Sequence, residues 1–167
     1  MVTVKRIPLW QINSLCKIAK LLVDCGNDMK AKYGLIHWKN SFLKTFLITI
    51  YTVIRNRGTL FAVLESESLI ATYQLYQRGL SMHFCKLAVS PQHSGGGIGS
   101  FCINQMEITA QRQGCKNLSC EVYKKSNHAL NFYLNRGFKI VGNVRTLKFD
   151  EFKLEKQLNL PHETINA

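Results

Sequence analysis

Proline is scarce, three residues in 167, and no Pro/Gly/Ser-rich stretch, internal repeat or low-complexity tract divides the chain. A single domain spanning residues 1–167 is therefore expected. None of the six cysteines, at 16, 25, 85, 102, 115 and 120, makes a CxxC pair or falls at zinc-ligand spacing with a histidine. That predicts no metal site and reduced, mostly buried thiols. No window approaches 18 uninterrupted apolar residues, and MVTVKRIPLW holds no apolar leader core. Neither membrane spanning nor secretion is indicated, and a cytoplasmic location is expected. Acids are also few, ten Asp and Glu against 22 Lys and Arg, for a net charge of +12. The resulting field attracts anions: phosphorylated cofactors, nucleic acid or acidic lipid. The bases are scattered (Lys5, Lys17, Lys30, Lys44, Arg78, Lys116, Arg136) with no dense run, so a dedicated nucleic-acid surface is not expected.

What is present suits a packed core: 46% of residues are apolar and 19% charged. Val2 to Ile7 reads as a short strand. Pro8 then precedes a helix with Ile12, Leu15, Ile18, Ala19 and Leu22 on one face, expected to stop near Gly26. Trp38 to Arg55 reads as a second amphipathic helix ended by Gly58. Thr59 to Leu64 and Leu69 to Tyr76 form a hairpin, and Arg78 and Gly79 turn into a strand over Leu80 to Val89. Ile98 to Gln113 is a helix closed by Gly114, followed by a strand over Asn117 to Tyr123. A short helix, Asn127 to Arg136, then leads to strands over Phe138 to Val144 and Arg145 to Leu154. This order predicts a mixed α/β sandwich of one sheet and covering helices.

The chemistry concentrates in Leu87-Ala88-Val89-Ser90-Pro91-Gln92-His93-Ser94-Gly95-Gly96-Gly97-Ile98-Gly99-Ser100, which runs from a strand through a glycine-rich loop into a helix. Glycines admit a ligand close to the backbone, and the first N–H groups of a helix are unpaired at the positive end of its dipole. Gly95, Gly96 and Gly97 are placed to cradle a pyrophosphate. Neither a P-loop lysine nor the dinucleotide GxGxxG spacing is present, and the alternative is a plain strand-to-helix turn. A second run, Ser126-Asn127-His128-Ala129-Leu130-Asn131-Phe132-Tyr133-Leu134-Asn135-Arg136-Gly137-Phe138, follows one strand later. Alone, Asn127 reads as a helix cap and Tyr133 as a core aromatic.

Taken together the two runs resemble the GNAT superfamily of N-acetyltransferases. Val89, Pro91, Gly95, Gly97 and Gly99 match its V-x-P-x-x-(R/Q)-G-x-G-x-(G/A) loop without a gap, and Ala129, Phe132, Tyr133, Gly137 and Phe138 match its N-x-x-A-x-x-F-Y-x-x-x-G-F element, with Ser126 at the Asn position and the asparagine one residue later, at Asn127. Ser94 departs from the pattern, standing where the family prefers Arg or Gln. The resemblance is good over residues 59 to 150. It implies an α/β (α+β) GNAT fold, a mixed, mostly antiparallel sheet of six to seven strands covered by about four helices.

It also implies binding of acetyl-CoA by Leu87, Ala88, Val89, the Ser94 to Ser100 loop including Ile98, Asn127 and Tyr133. A backbone N–H, Val89 first, would hold the thioester carbonyl, and Tyr133 would protonate the departing thiolate. The acceptor is a small-molecule or peptide amine. For its proton, His83 lies six residues before Val89 on the same strand, with a water chain or Glu121 on the next strand as alternatives. His37, His93, His128 and His162 fall in expected loops, a helix start or the tail. Asp24 and Asp28, the acids of the first 64 residues, flank the expected loop after the first helix, where a cationic amine could be drawn. Two readings from another class stay open, a silent acyl-CoA sensor and a basic nucleic-acid-binding module, as does a homodimer.

Overall fold

The computed structural model describes residues 1–36, 38, 40–145 and 149–159. Among them the order is β1 (Val2–Ile7), α1 (Ile12–Tyr33), α2 (Phe42–Arg55), β2 (Thr59–Glu65), β3 (Ser68–Arg78), β4 (Ser81–Val89), α3 (Ile98–Arg112), β5 (Asn117–Tyr123), α4 (Asn127–Leu134), β6 (Lys139–Arg145) and β7 (Asp150–Gln157). The strands make one sheet in the order β1-β2-β3-β4-β5-β7-β6. All neighbours are antiparallel except β4 and β5, which are parallel. No described helix is long and apolar enough to cross a membrane.

Alternation along the strands divides the interior into two layers. Leu60 and Ala62 join Leu15, Ile18, Leu22 and Cys25 beneath α1 and α2. Val63 from the same strand joins Phe84, Cys102, Met106, Leu118 and Tyr133 beneath α3 and α4. The sandwich is thus helices on both faces of a central sheet. All six cysteines are unpaired.

Several boundaries differ from the sequence reading. The first helix does not stop at Gly26 but continues to Tyr33, where Gly34, at φ 67, caps it and donates to Lys30 O at 3.0 Å. Gly26 serves packing instead, since a Cβ there would lie 2.7 Å from the Trp38 carbonyl oxygen. Asp24 and Asp28 consequently sit on α1 rather than beside a loop. The second helix starts at Phe42, not Trp38, because Ser41 takes an extended backbone and caps it, its Oγ accepting from Lys44 N at 3.4 Å. The fourth helix ends at Leu134, two residues early, and Gly137 at φ 83 completes the turn. The last strand runs over Asp150–Gln157. Its expected start includes residues 146–148, which lie outside the described residues, as do His37 and His162.

Candidate active site

β4 and β5 pair only over Ser81–His83 and Asn117–Ser119. Beyond that point β4 stays paired to β3 and β5 to β7, but not to each other. The facing edges diverge and leave their peptide groups available to a ligand. A bulge contributes to the divergence: Gln74 faces Cys85 and Thr72 faces Ala88, so two steps on β3 oppose three on β4, with Lys86 at φ 53. Such a bulge bends its strand and increases local twist. Ser90 N–H bonds to Ile70 O on the β3 side at 2.8 Å. Successive N–H groups of an extended chain point oppositely, so Val89 N–H faces the gap.

The gap opens into a cleft of about 470 Å³, with Leu87, Ala88 and Val89 on one wall and Glu121, Val122 and Tyr123 on the other. Ser94, Gly95, Gly97, Gly99 and Ser100 also line it, as do Cys25, Asp28 and Tyr33 of α1. Gly95 and Gly97 have φ of 82 and 81, and a Cβ on either would meet nothing within 4 Å. Here glycine supplies left-handed backbone and an unobstructed surface. Gly97 is the N-cap of α3, whose first turn holds no acid, so the N–H groups of Ile98, Gly99 and Ser100 present an uncompensated positive end. This backbone fits a phosphorylated, extended ligand lying along the gap. Gly96, Ile98 and Asn127 are not among the residues that line the cleft, and Asn127 is exposed on the first turn of α4.

Tyr133 does line the cleft, although it is 9% exposed and packed by Phe84, Phe132 and Phe138 at 5.7, 5.1 and 5.5 Å between ring centres. Burial, then the nearby Cys120 and Cys102, pushes its phenol well above the usual range, so it keeps its proton at neutral pH. His83 is not brought into the cleft. It is 1% exposed, its Nδ1 3.1 Å from Ser119 Oγ and its ring against Tyr76. Burial, with Arg78 and Lys153, lowers its pKa to about 4, so the imidazole is neutral. An even spacing of six residues from Val89 would put both on one face of a regular strand, but the Lys86 bulge shifts alternation by one, and His83 shares a face with Cys85 and Ala88 instead. Glu121 stands between histidine and cleft, 3.9 Å from His83 Nε2 and 3.7 Å from Arg78. Asp28 lines the cleft but is paired with Lys32 at 3.0 Å.

The sequence reading assigned no role to Arg136. Its guanidinium lines the cleft, lies 3.8 Å from the Phe132 ring centre, and donates to Phe132 O at 2.9 Å and to Ser100 Oγ. No local pattern links residues 100 and 136; only the meeting of α3's first turn with α4's end does.

The chain matches the Acetyltransferase (GNAT) family over residues 19–138. It belongs to the GNAT acetyltransferases. Solved structures of the family share its fold throughout. PaiA N-acetyltransferase from Thermoplasma acidophilum, in complex with coenzyme A, is 14% identical with a TM-score of 0.77, over 94% of this chain and 99% of that one. The ribosomal-protein-S18-alanine N-acetyltransferase from Escherichia coli is 14% identical with a TM-score of 0.74, over 100% of both chains. IAA acetyltransferase from Bacillus cereus is 20% identical with a TM-score of 0.67, over 95% of this chain and 100% of that one. No curated protein matches the chain.

Proposed function

We propose that this GNAT protein is an acetyl-CoA-dependent N-acetyltransferase acting on a primary amine by direct transfer, in the cytoplasm, where its six free thiols would stay reduced. One observation carries the reading: the glycine-lined helix terminus, the Val89 N–H and the Tyr133 phenol meet in one cleft between diverging parallel strands. A relative of the same fold holds coenzyme A.

Acetyl-CoA supplies the activated thioester; the chain supplies placement and proton handling. Gly95 to Ser100 hold the pyrophosphate by backbone N–H groups, and the walls Leu87–Val89 and Glu121–Tyr123 flank the pantetheine arm. Val89 N–H offers a donor where negative charge develops on the carbonyl oxygen. Tyr133, held protonated, gives its proton to the leaving sulfur. Glu121, rather than His83, takes the proton of the incoming ammonium, because it lines the cleft while His83 lies behind it with a pKa of about 4. The acceptor enters past Asp28 and Tyr33, which border the cleft from α1.

A panel of amines with acetyl-CoA, followed by free thiol, tests the reading. Acceptor-dependent thiol release supports it; acetyl-CoA binding without release on any amine points to a silent acyl-CoA sensor. Gly97→Val must abolish both binding and release, since a β-branched residue at φ 81 is strained and projects into the ligand space.

A further inference from the structure

The loop Ser94–Gly97 carries no charged side chain, yet one cation is fixed against the helix terminus it leads into. Arg136 comes from the turn after α4. Its guanidinium is stacked on Phe132 and bonded through two nitrogens to neutral acceptors, the Phe132 carbonyl and the Ser100 hydroxyl. Guanidinium has five N–H donors, so two such bonds leave the majority unused. Among the described residues no carboxylate ion-pairs with it, in contrast to the other cleft cation, Lys32, which Asp28 neutralises at 3.0 Å. Ser100 belongs to the first turn of α3, the turn whose unpaired N–H groups face the same cleft. Close approach makes this arrangement rigid: Gly99 packs so near the Phe132 ring that a Cβ would lie 3.0 Å from it.

A stacked, immobilised and uncompensated guanidinium lining a cleft is built for an anion, because its side-chain entropy is already lost before binding. We propose that Arg136 is a ligand of the cofactor's pyrophosphate, adding a charged fork to the backbone donors at the start of α3. The assignment rests on the reading of this cleft as a coenzyme A site. The pyrophosphate is favoured over the 3′-phosphate because Arg136 is anchored to Ser100, in the turn that holds the backbone donors. Charge and fork both matter, so lysine substitutes only in part.

Calorimetry with three probes tests this: coenzyme A, 3′-dephospho-coenzyme A and S-acetylpantetheine. Arg136→Gln is expected to weaken coenzyme A and its dephospho form equally, roughly 10- to 100-fold, and to leave acetylpantetheine unchanged. Arg136→Lys should fall between wild type and Arg136→Gln. Loss confined to coenzyme A would move the contact to the 3′-phosphate and overturn the assignment. Equal loss for all three probes, with a lowered melting temperature of the free protein, would reduce Arg136 to a clamp between α3 and α4. No loss for any probe would remove it from the site. Wild type that binds none of the three overturns the underlying reading, and that outcome is seen before any variant is made.

Discussion

Gly99 and Phe132 bring two helix ends into contact: a Cβ built on Gly99 meets the Phe132 ring at 3.0 and 3.1 Å. Gly99→Ala therefore has to push the ring, and with it the Arg136 guanidinium stacked upon it, away from the first turn of α3. Phe132 is only partly buried and can yield, so the expected loss of stability is about 1 kcal/mol, the low end for overpacking. The larger effect is on the cofactor. Acetyl-CoA affinity should fall more than melting temperature suggests, as titration calorimetry beside a thermal melt will show; unchanged affinity would mean that the contact serves folding alone.

Tyr133→Phe deletes a hydroxyl and leaves the ring packed among Phe84, Phe132 and Phe138. As the thiolate's acid it should lower kcat about 10²- to 10⁴-fold with little change in acetyl-CoA affinity. Measuring kcat and melting temperature on one preparation separates this from a structural role, in which stability drops by about 1 kcal/mol and kcat stays intact.

Glu121→Gln removes the carboxylate that lines the cleft beside Val122 and Tyr123. Its kcat/KM should fall by about 10²-fold or more near neutral pH and recover toward wild type as pH nears the acceptor's own pKa, where no base is required. His83→Asn, in the layer behind, should leave the shape of that profile unaltered. The reverse pattern would return the proton to His83.

His83 also sets a stability slope. Its folded pKa, about 4, lies below the ordinary 6.5 because burial disfavours the imidazolium. The unfolded chain thus binds the extra proton between these values, and stability falls as pH drops from 6.5 to 4. The contribution present above 6.5 and lost by 4 is about 3 kcal/mol at most. Denaturant melts from pH 4 to 8 should show this decline, and His83→Asn should flatten it; equal slopes would mean that the imidazole charges without cost in the fold.

Much of this architecture is visible in linear patterns, because the local rules agree there. The run from Leu87 to Ser100 announces strand, loop and helix by its own glycines, and the periodicities of Ile98–Arg112 and Asn117–Tyr123 are unambiguous. Patterns fail where a residue's meaning depends on a distant neighbour. Gly26 looks like a helix stop, but the Trp38 carbonyl is what requires it. His83 looks aligned with Val89 until Lys86 inserts its extra step. Arg136 gains its place only when α4 ends against α3, a meeting that no short-range spacing encodes.

The three residue pairs that join β4 to β5 have a mechanical consequence. Among the described residues these pairs, with the adjoining bond from Lys116 N–H to Leu80 O at 2.7 Å, carry the backbone hydrogen bonding between β4 and β5, and so between the β1–β4 half of the sheet and the β5–β7 half. On the proposed function, acetyl-CoA seated in the widening gap would bridge the halves where the protein has left its own ladder unfinished, a strut as well as a reactant. Departure of the spent carrier after transfer would then remove a structural member and couple emptying of the cleft to loosening of the seam that formed it.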